Sequence, residues 1–243
     1  MLKADPQNVR ALVSLALSVQ HVEPEEAAAL FKRAMDLGAG EDPNLAGCYA
    51  HFLHEIQEDL EAAEHVYATA TASPACREPI VFQYGQLLEM RGRWDEARTC
   101  YERALEMDPE QARTYTAYGK LLYTQYSTLD VAGRQFQKAL ELEEFDYDVN
   151  LAYAQFLAKG RKDYSGAEEH LKRCLALDVE AAVPILGDYL FGLYGKGQAP
   201  DIYEAMLLDS TDEPILGYCN FATWAWEVRE DYRTAERFYK KCV

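Results

Sequence analysis

The chain has 243 residues, 49% of them apolar, with 24 Lys plus Arg against 41 Asp plus Glu, a formal net charge of −17 at pH 7. That apolar content is enough to build a core and excludes wholesale disorder, while the length suggests one or two domains. Seventeen excess negative charges repel phosphate backbones and anionic lipid heads, which argues against nucleic acid and membrane surfaces as partners.

Residues 1–6 carry no apolar signal-peptide core. The longest apolar stretch, residues 11–19, is interrupted by Ser14 and Ser18 and falls far short of the roughly 20 residues that span a bilayer. It opens the first of seven similar segments. Leu15-Ala16-Leu17-Ser18-Val19 is followed by Ala27, Phe31 and Ala34. Tyr49-Ala50-His51-Phe52-Leu53 then precedes Ala63, Tyr67 and Ala70, and Tyr84-Gly85-Gln86-Leu87-Leu88 precedes Ala97, Tyr101 and Ala104. Tyr118-Gly119-Lys120-Leu121-Leu122 leads to Ala132, Phe136 and Ala139, and Tyr153-Ala154-Gln155-Phe156-Leu157 to Ala167, Leu171 and Cys174. The last two, like the Leu15 copy, are weaker: Leu186-Gly187-Asp188-Tyr189-Leu190 with Ala199, Tyr203 and Met206, and Phe221-Ala222-Thr223-Trp224-Ala225 with Ala235, Tyr239 and Cys242.

The small residues at 16, 50, 85, 119, 154, 187 and 222 are 33 to 35 residues apart. Steps of four and then three put each Ala–aromatic–small triplet on one face of a helix, and the small residues let two helices approach closely. Each segment therefore predicts helix A, a short turn and helix B. Turns such as Arg91-Gly92-Arg93 and residues 159–163 carry breaker residues, and B helices start acidic, as at Asp95 and Glu96. Prolines 43, 109 and 214 mark boundaries. Trp94, Tyr164 and Tyr232 begin B helices at equivalent places and are expected in the core.

The chain resembles the tetratricopeptide-repeat (TPR) family over essentially its whole length. The segment Tyr84-Gly85, Trp94-Asp95-Glu96-Ala97, Tyr101, Ala104 to Pro109 is similar to the family's consensus. The half-a-TPR repeats of RNA-processing scaffolds share the Tyr-Ala-x-Phe pattern, but they carry a Trp three residues before the Tyr and a Glu after the Phe. Here Ala46, Val81, Tyr115 and Asn150, and Leu53, Leu88, Leu122 and Leu157, hold those places, which favours TPR. The resemblance implies an all-α, right-handed superhelix, a single solenoid over 1–243, with about seven repeats at 7–43, 44–77, 78–112, 113–146, 147–180, 181–214 and 215–243. Residues 1–6 align with 104–109, and the chain stops inside a helix B, so it is expected to be a segment of a longer repeat protein. Uncapped ends of that kind could pair copies into homo-oligomers.

No catalytic pattern stands out: there is no GxSxG, no strand-borne GxGxxG and no phosphate-binding loop, and Gly195-Lys196-Gly197 sits in a predicted helix turn. No cofactor and no metal is expected. His51 and His54 are three apart beside Glu55, but the order is not the HExxH zinc motif, so they are read as polar groups of a groove. The acidic run from Glu141 to Asp148 reads as solvated surface. Six scattered cysteines without a CxxC predict free thiols, in the cytoplasm or another reducing compartment.

By the resemblance, A helices line a concave groove. Its expected lining is Leu17, His51, His54, Phe82, Gln86, Arg113, Lys120, Tyr123, Gln155, Phe191 and Trp226. Apolar anchors with a few placed charges suit a protein or peptide partner, and Arg113 and Lys120, cations in an acidic chain, would meet its carboxylates. The chaperone-tail clamp of some TPR domains uses Asn residues that are missing here. The expected function is a non-catalytic interaction scaffold. The alternatives are a regulatory segment of a larger multidomain protein or enzyme complex and, less favoured, an RNA-processing scaffold or RNA binder.

Overall fold

The computed structural model describes residues 7–211 and 214–243. The expected match of residues 1–6 to a B-helix tail therefore lies outside the described residues, as does the side chain of Tyr164. The structure is all-α, a succession of helix pairs, and no strand occurs among the described residues. It divides into two compact units, residues 1–126 and 127–243, a boundary that falls inside the fourth predicted repeat.

The first unit holds α1 (Val9–Val19), α2 (Pro24–Asp36), α3 (Pro43–Glu55), α4 (Leu60–Thr71), α5 (Glu78–Met90), α6 (Trp94–Met107) and α7 (Ala112–Thr124). The second holds α8 (Leu129–Leu142), α9 (Tyr147–Gln155), α10 (Tyr164–Leu177), α11 (Val179–Ser210), α12 (Ile215–Glu227) and α13 (Tyr232–Tyr239). A π-helical segment, Phe156–Arg161, extends α9 into the predicted turn. The sixth helix pair is the single run α11, broken at Gly195, whose φ of 69° leaves the helical region.

The B-helix triplets are buried as their spacing demands: Ala27, Phe31 and Ala34, Ala97, Tyr101 and Ala104, and Ala132, Phe136 and Ala139 are all fully enclosed. Their aromatics reach the A helix of the following repeat. Phe31 meets Phe52 at 4.9 Å between ring centroids, Tyr67 meets Tyr84 at 5.8 Å, Phe136 meets Phe156 at 5.1 Å, and Tyr203 stacks on Phe221 at 3.9 Å. Such ring pairs add about 0.5–1.5 kcal/mol each beyond their buried area.

Two core expectations are corrected. In the last triplet Tyr239 is 40% exposed and the enclosed ring is its neighbour Phe238, because α13 ends at Tyr239 and no later helix among the described residues covers that side. Tyr232 is 54% exposed; it starts α13 lying edge-on against Trp226, itself on the surface, so no core is there to receive it. Trp94 is half-buried.

The A-to-B turns of repeats 2 to 7 share one device. A residue of positive φ, namely Glu58, Gly92, Ser127, Lys162, Gly195 and Glu230 in successive repeats, ends helix A. The residue after it donates its N–H back into helix A, as in Asp59 to Leu53 O, Arg93 to Leu88 O, Asp163 to Leu157 O and Asp231 to Ala225 O, each at 2.9 Å. At Asp59, Asp163 and Asp231 the carboxylate of that same residue accepts the N–H of Ala62, Gly166 and Thr234 and so caps helix B. One aspartate closes one helix and opens the next.

Asn150 is a polar residue that the periodicity does not single out. It is fully buried, its amide donates to Glu144 O at 2.7 Å and Asp146 O at 2.8 Å, and its Oδ1 lies 2.8 Å from His170 Nδ1. Burial pushes the His170 imidazole below its usual range, so it stays neutral and donates from Nδ1. Asn150→Ala strands these groups and is expected to destabilise the second unit by about 1–3 kcal/mol, read as a lower urea midpoint; an unchanged midpoint would refute the network's role.

Candidate peptide-binding face

In the first unit successive A helices pack side by side, α1 on α3, α3 on α5 and α5 on α7. This places on neighbouring helices the residues expected along one stripe. Leu17 and His51 are half-buried and line a cavity of about 230 Å³ between α1, α3 and α5, together with Cys48, Ile80 and Gln83. His54 is buried, Gln86 and Lys120 are exposed, and Tyr123 is half-buried. Burial pushes the His51 imidazole below its usual range and the Tyr123 phenol above its own.

Phe82 is only 6% exposed; it serves as a floor rather than a projecting anchor. Arg113 lies over it, with the guanidinium carbon 4.9 Å from the ring centroid. The same guanidinium donates to Glu78 Oε2 at 3.1 Å, and the Thr114 hydroxyl donates to Glu78 Oε1 at 3.1 Å. Glu78 is 6% exposed, so its carboxylate is held by partners from α7, one repeat away. Neither Glu78 nor Thr114 was expected from sequence; the 35-residue offset between Glu78 and Arg113 was the available signal. Arg113 keeps 48% of its side chain exposed and presents its remaining donors outward. No carboxylate lies within ion-pair distance of Lys120 among the described residues, and its charge instead tempers the rise that burial imposes on the Glu89 carboxyl, which also accepts the Tyr101 hydroxyl at 2.8 Å.

The remaining stripe residues belong to the second unit. Gln155 is half-buried on α9. Phe191 is 9% exposed and packs edge-on against Trp224, with ring centroids 5.1 Å apart. Beside it, Arg229 lies 5.8 Å from the ring centroid and pairs with Asp188 at 2.8 Å. Trp226 is 51% exposed. All six cysteines are free thiols. No helix among the described residues is long and apolar enough to cross a membrane.

Residues 78–121, which contain the Glu78–Arg113 network, match the tetratricopeptide-repeat family. The chain is a tetratricopeptide-repeat protein. A TPR repeat-containing protein of Dictyostelium discoideum is 32% identical over 173 residues, covering 67% of this chain and 64% of that protein. A second match, 32% identical over 97 residues, covers 38% of this chain and 10% of the protein O-mannosyl-transferase Tmtc2 of Drosophila melanogaster. The chain thus spans less than two thirds of either curated relative. Among solved structures, a tetratricopeptide-repeat protein from Parabacteroides merdae superposes with a TM-score of 0.66 at 19% identity, over 97% of this TPR protein and 92% of the other. The fold is that of protein-interaction scaffolds in general.

Proposed function

We propose that this TPR protein is a non-catalytic scaffold whose A-helix face in the first unit binds an extended or helical peptide carrying carboxylates. The observation behind this reading is the pairing of two outward cations, Arg113 and Lys120, with the apolar cavity lined by Leu17, His51 and Ile80 on the same row of A helices. A pocket for an apolar side chain beside placed charges supplies both area and orientation, and cations on an otherwise acidic surface favour an anionic ligand.

The two cations differ as test positions. Arg113 neutralises buried Glu78, so truncating it leaves a carboxylate without its charge partner and costs stability along with affinity. Lys120 makes no such contact. Peptides selected from a random library on the wild-type chain are expected to be acidic, and Lys120→Ala is expected to weaken them by about tenfold, roughly 1.4 kcal/mol, with an unchanged melting curve. Equal affinity for the variant, or selection of basic peptides, overturns the reading.

A second reading, an interaction segment of a larger protein, is favoured by the match to a tenth of the Drosophila transferase. Co-purification of the full-length protein with its partners tests it.

A further inference from the structure

Repeats 2 and 3 differ at one equivalent pair of residues. In repeat 3 the Tyr101 hydroxyl donates to Glu89 at 2.8 Å. Thirty-four residues earlier the same pair is Tyr67 and Glu55, yet the Tyr67 hydroxyl is buried without a partner. Glu55 makes no hydrogen bond to it; its side chain is 51% exposed, with Oε1 3.3 Å from His54 Nδ1.

That nitrogen and His51 Nδ1, one helical turn earlier on α3, are both buried and neither makes a hydrogen bond. Ligand atoms of His51, His54 and Glu55 all lie within 4.8 Å of one another. The other ring nitrogen of His54 lies 3.2 Å from Met90 Sδ, so Nδ1 is the one left facing the carboxylate. A buried nitrogen without a partner is unfavourable, and an imidazole lone pair beside a carboxylate oxygen is repulsive unless a cation lies between them. Two imidazoles three residues apart project from one side of a helix, and two imidazoles with one carboxylate suit Zn²⁺ and its neighbours rather than Mg²⁺ or Ca²⁺.

We propose that His51, His54 and Glu55 bind one divalent transition-metal ion of the Zn²⁺ type at the end of α3. The three side chains supply two neutral nitrogens and one carboxylate oxygen, leaving a further coordination position for water or for a donor from a partner. The site shares His51 with the cavity of the peptide reading, but it is read out by metal binding with no peptide present, so the two readings fail separately.

The test uses the whole chain without an affinity tag, stripped with chelator, then titrated with Co²⁺ by visible absorption and with Zn²⁺ by calorimetry. One equivalent of each is expected to bind. His51→Gln and Glu55→Gln, neither of which removes a fully buried side chain, are each expected to weaken binding by about tenfold or more, with unchanged helical circular dichroism. The proposal is overturned by absence of binding at millimolar Zn²⁺, by wild-type affinity in both variants, or by nitrogen chemical shifts showing that His54 Nδ1 keeps a proton at saturating Zn²⁺. That last result would make the pair an ordinary His–Glu hydrogen bond.

Discussion

Tyr203→Ala is expected to cost about 3–5 kcal/mol, the range for emptying the site of a large buried aromatic. The ring is fully buried, stacks on Phe221 at 3.9 Å with planes 8° apart, and meets Phe238 edge-on at 5.9 Å. It sits where α11, α12 and α13 converge, so the loss falls on three helices together. Its hydroxyl donates to Gly217 O at 2.9 Å; Tyr203→Phe keeps the stack, gives up that bond and should cost about 1 kcal/mol. Tyr67→Phe is the informative contrast, because the Tyr67 hydroxyl is buried without a partner. Removing it relieves a desolvation cost, and the variant should be as stable as the wild type or more so. Urea unfolding of the three variants gives the order; a Tyr203→Ala loss below about 1 kcal/mol would mean the stack is not a stabilising element.

Gly85→Val should destabilise the first unit by about 1–3 kcal/mol, the cost of forcing atoms into a filled core. A Cβ at Gly85 would stand 2.8 Å from Tyr101 Cε1 and 3.2 Å from Cys100 Cβ. Neither neighbour yields easily: Tyr101 is fully buried and tied through its hydroxyl to Glu89, and Cys100 Cβ moves only with the backbone of α6. A lowered midpoint with retained helicity on refolding is the expected result. Wild-type stability would show that the α5–α6 approach is looser than the geometry states, and would undermine the role given to the small A-helix residue. At Gly47 an added Cβ would meet Cδ1, Cγ1 and Cγ2 of Ile80 together, so the whole of a buried, β-branched side chain would have to move.

The repeat was legible because two periods coincide: the helical one within each triplet and the 33-to-35-residue one between them. Ala27, Phe31 and Ala34 could be placed in a core before any coordinates. Legibility failed where a neighbour is missing. Tyr239 carries the right letter at the right spacing, yet it is exposed because burial comes from the next helix rather than from its own. Phe82 and Phe191 could be placed on the A-helix stripe, but whether a ring there projects or packs depends on what lies across from it. Arg113 covers the one and Trp224 encloses the other. The Glu78–Thr114 link and the Asn150–His170 network join residues from different helices or different turns, and no single-segment periodicity encodes such pairings.

Left-handed backbone at the A-to-B turns is occupied by glycine at Gly92 and Gly195, but by Glu58, Ser127, Lys162 and Glu230 elsewhere. A side chain in that region costs about 1–2 kcal/mol, of which the lower chain entropy of a non-glycine residue in the unfolded state returns about half. Four repeats thus hold a reserve of roughly 0.5–1 kcal/mol apiece that a single glycine substitution would release. Because helical repeats draw their stability from themselves and their immediate neighbours, each substitution tightens one repeat at a time. The turns are therefore addressable settings: the order in which segments of the chain open on heating could be rewritten at four surface positions without touching a core residue or the A-helix face.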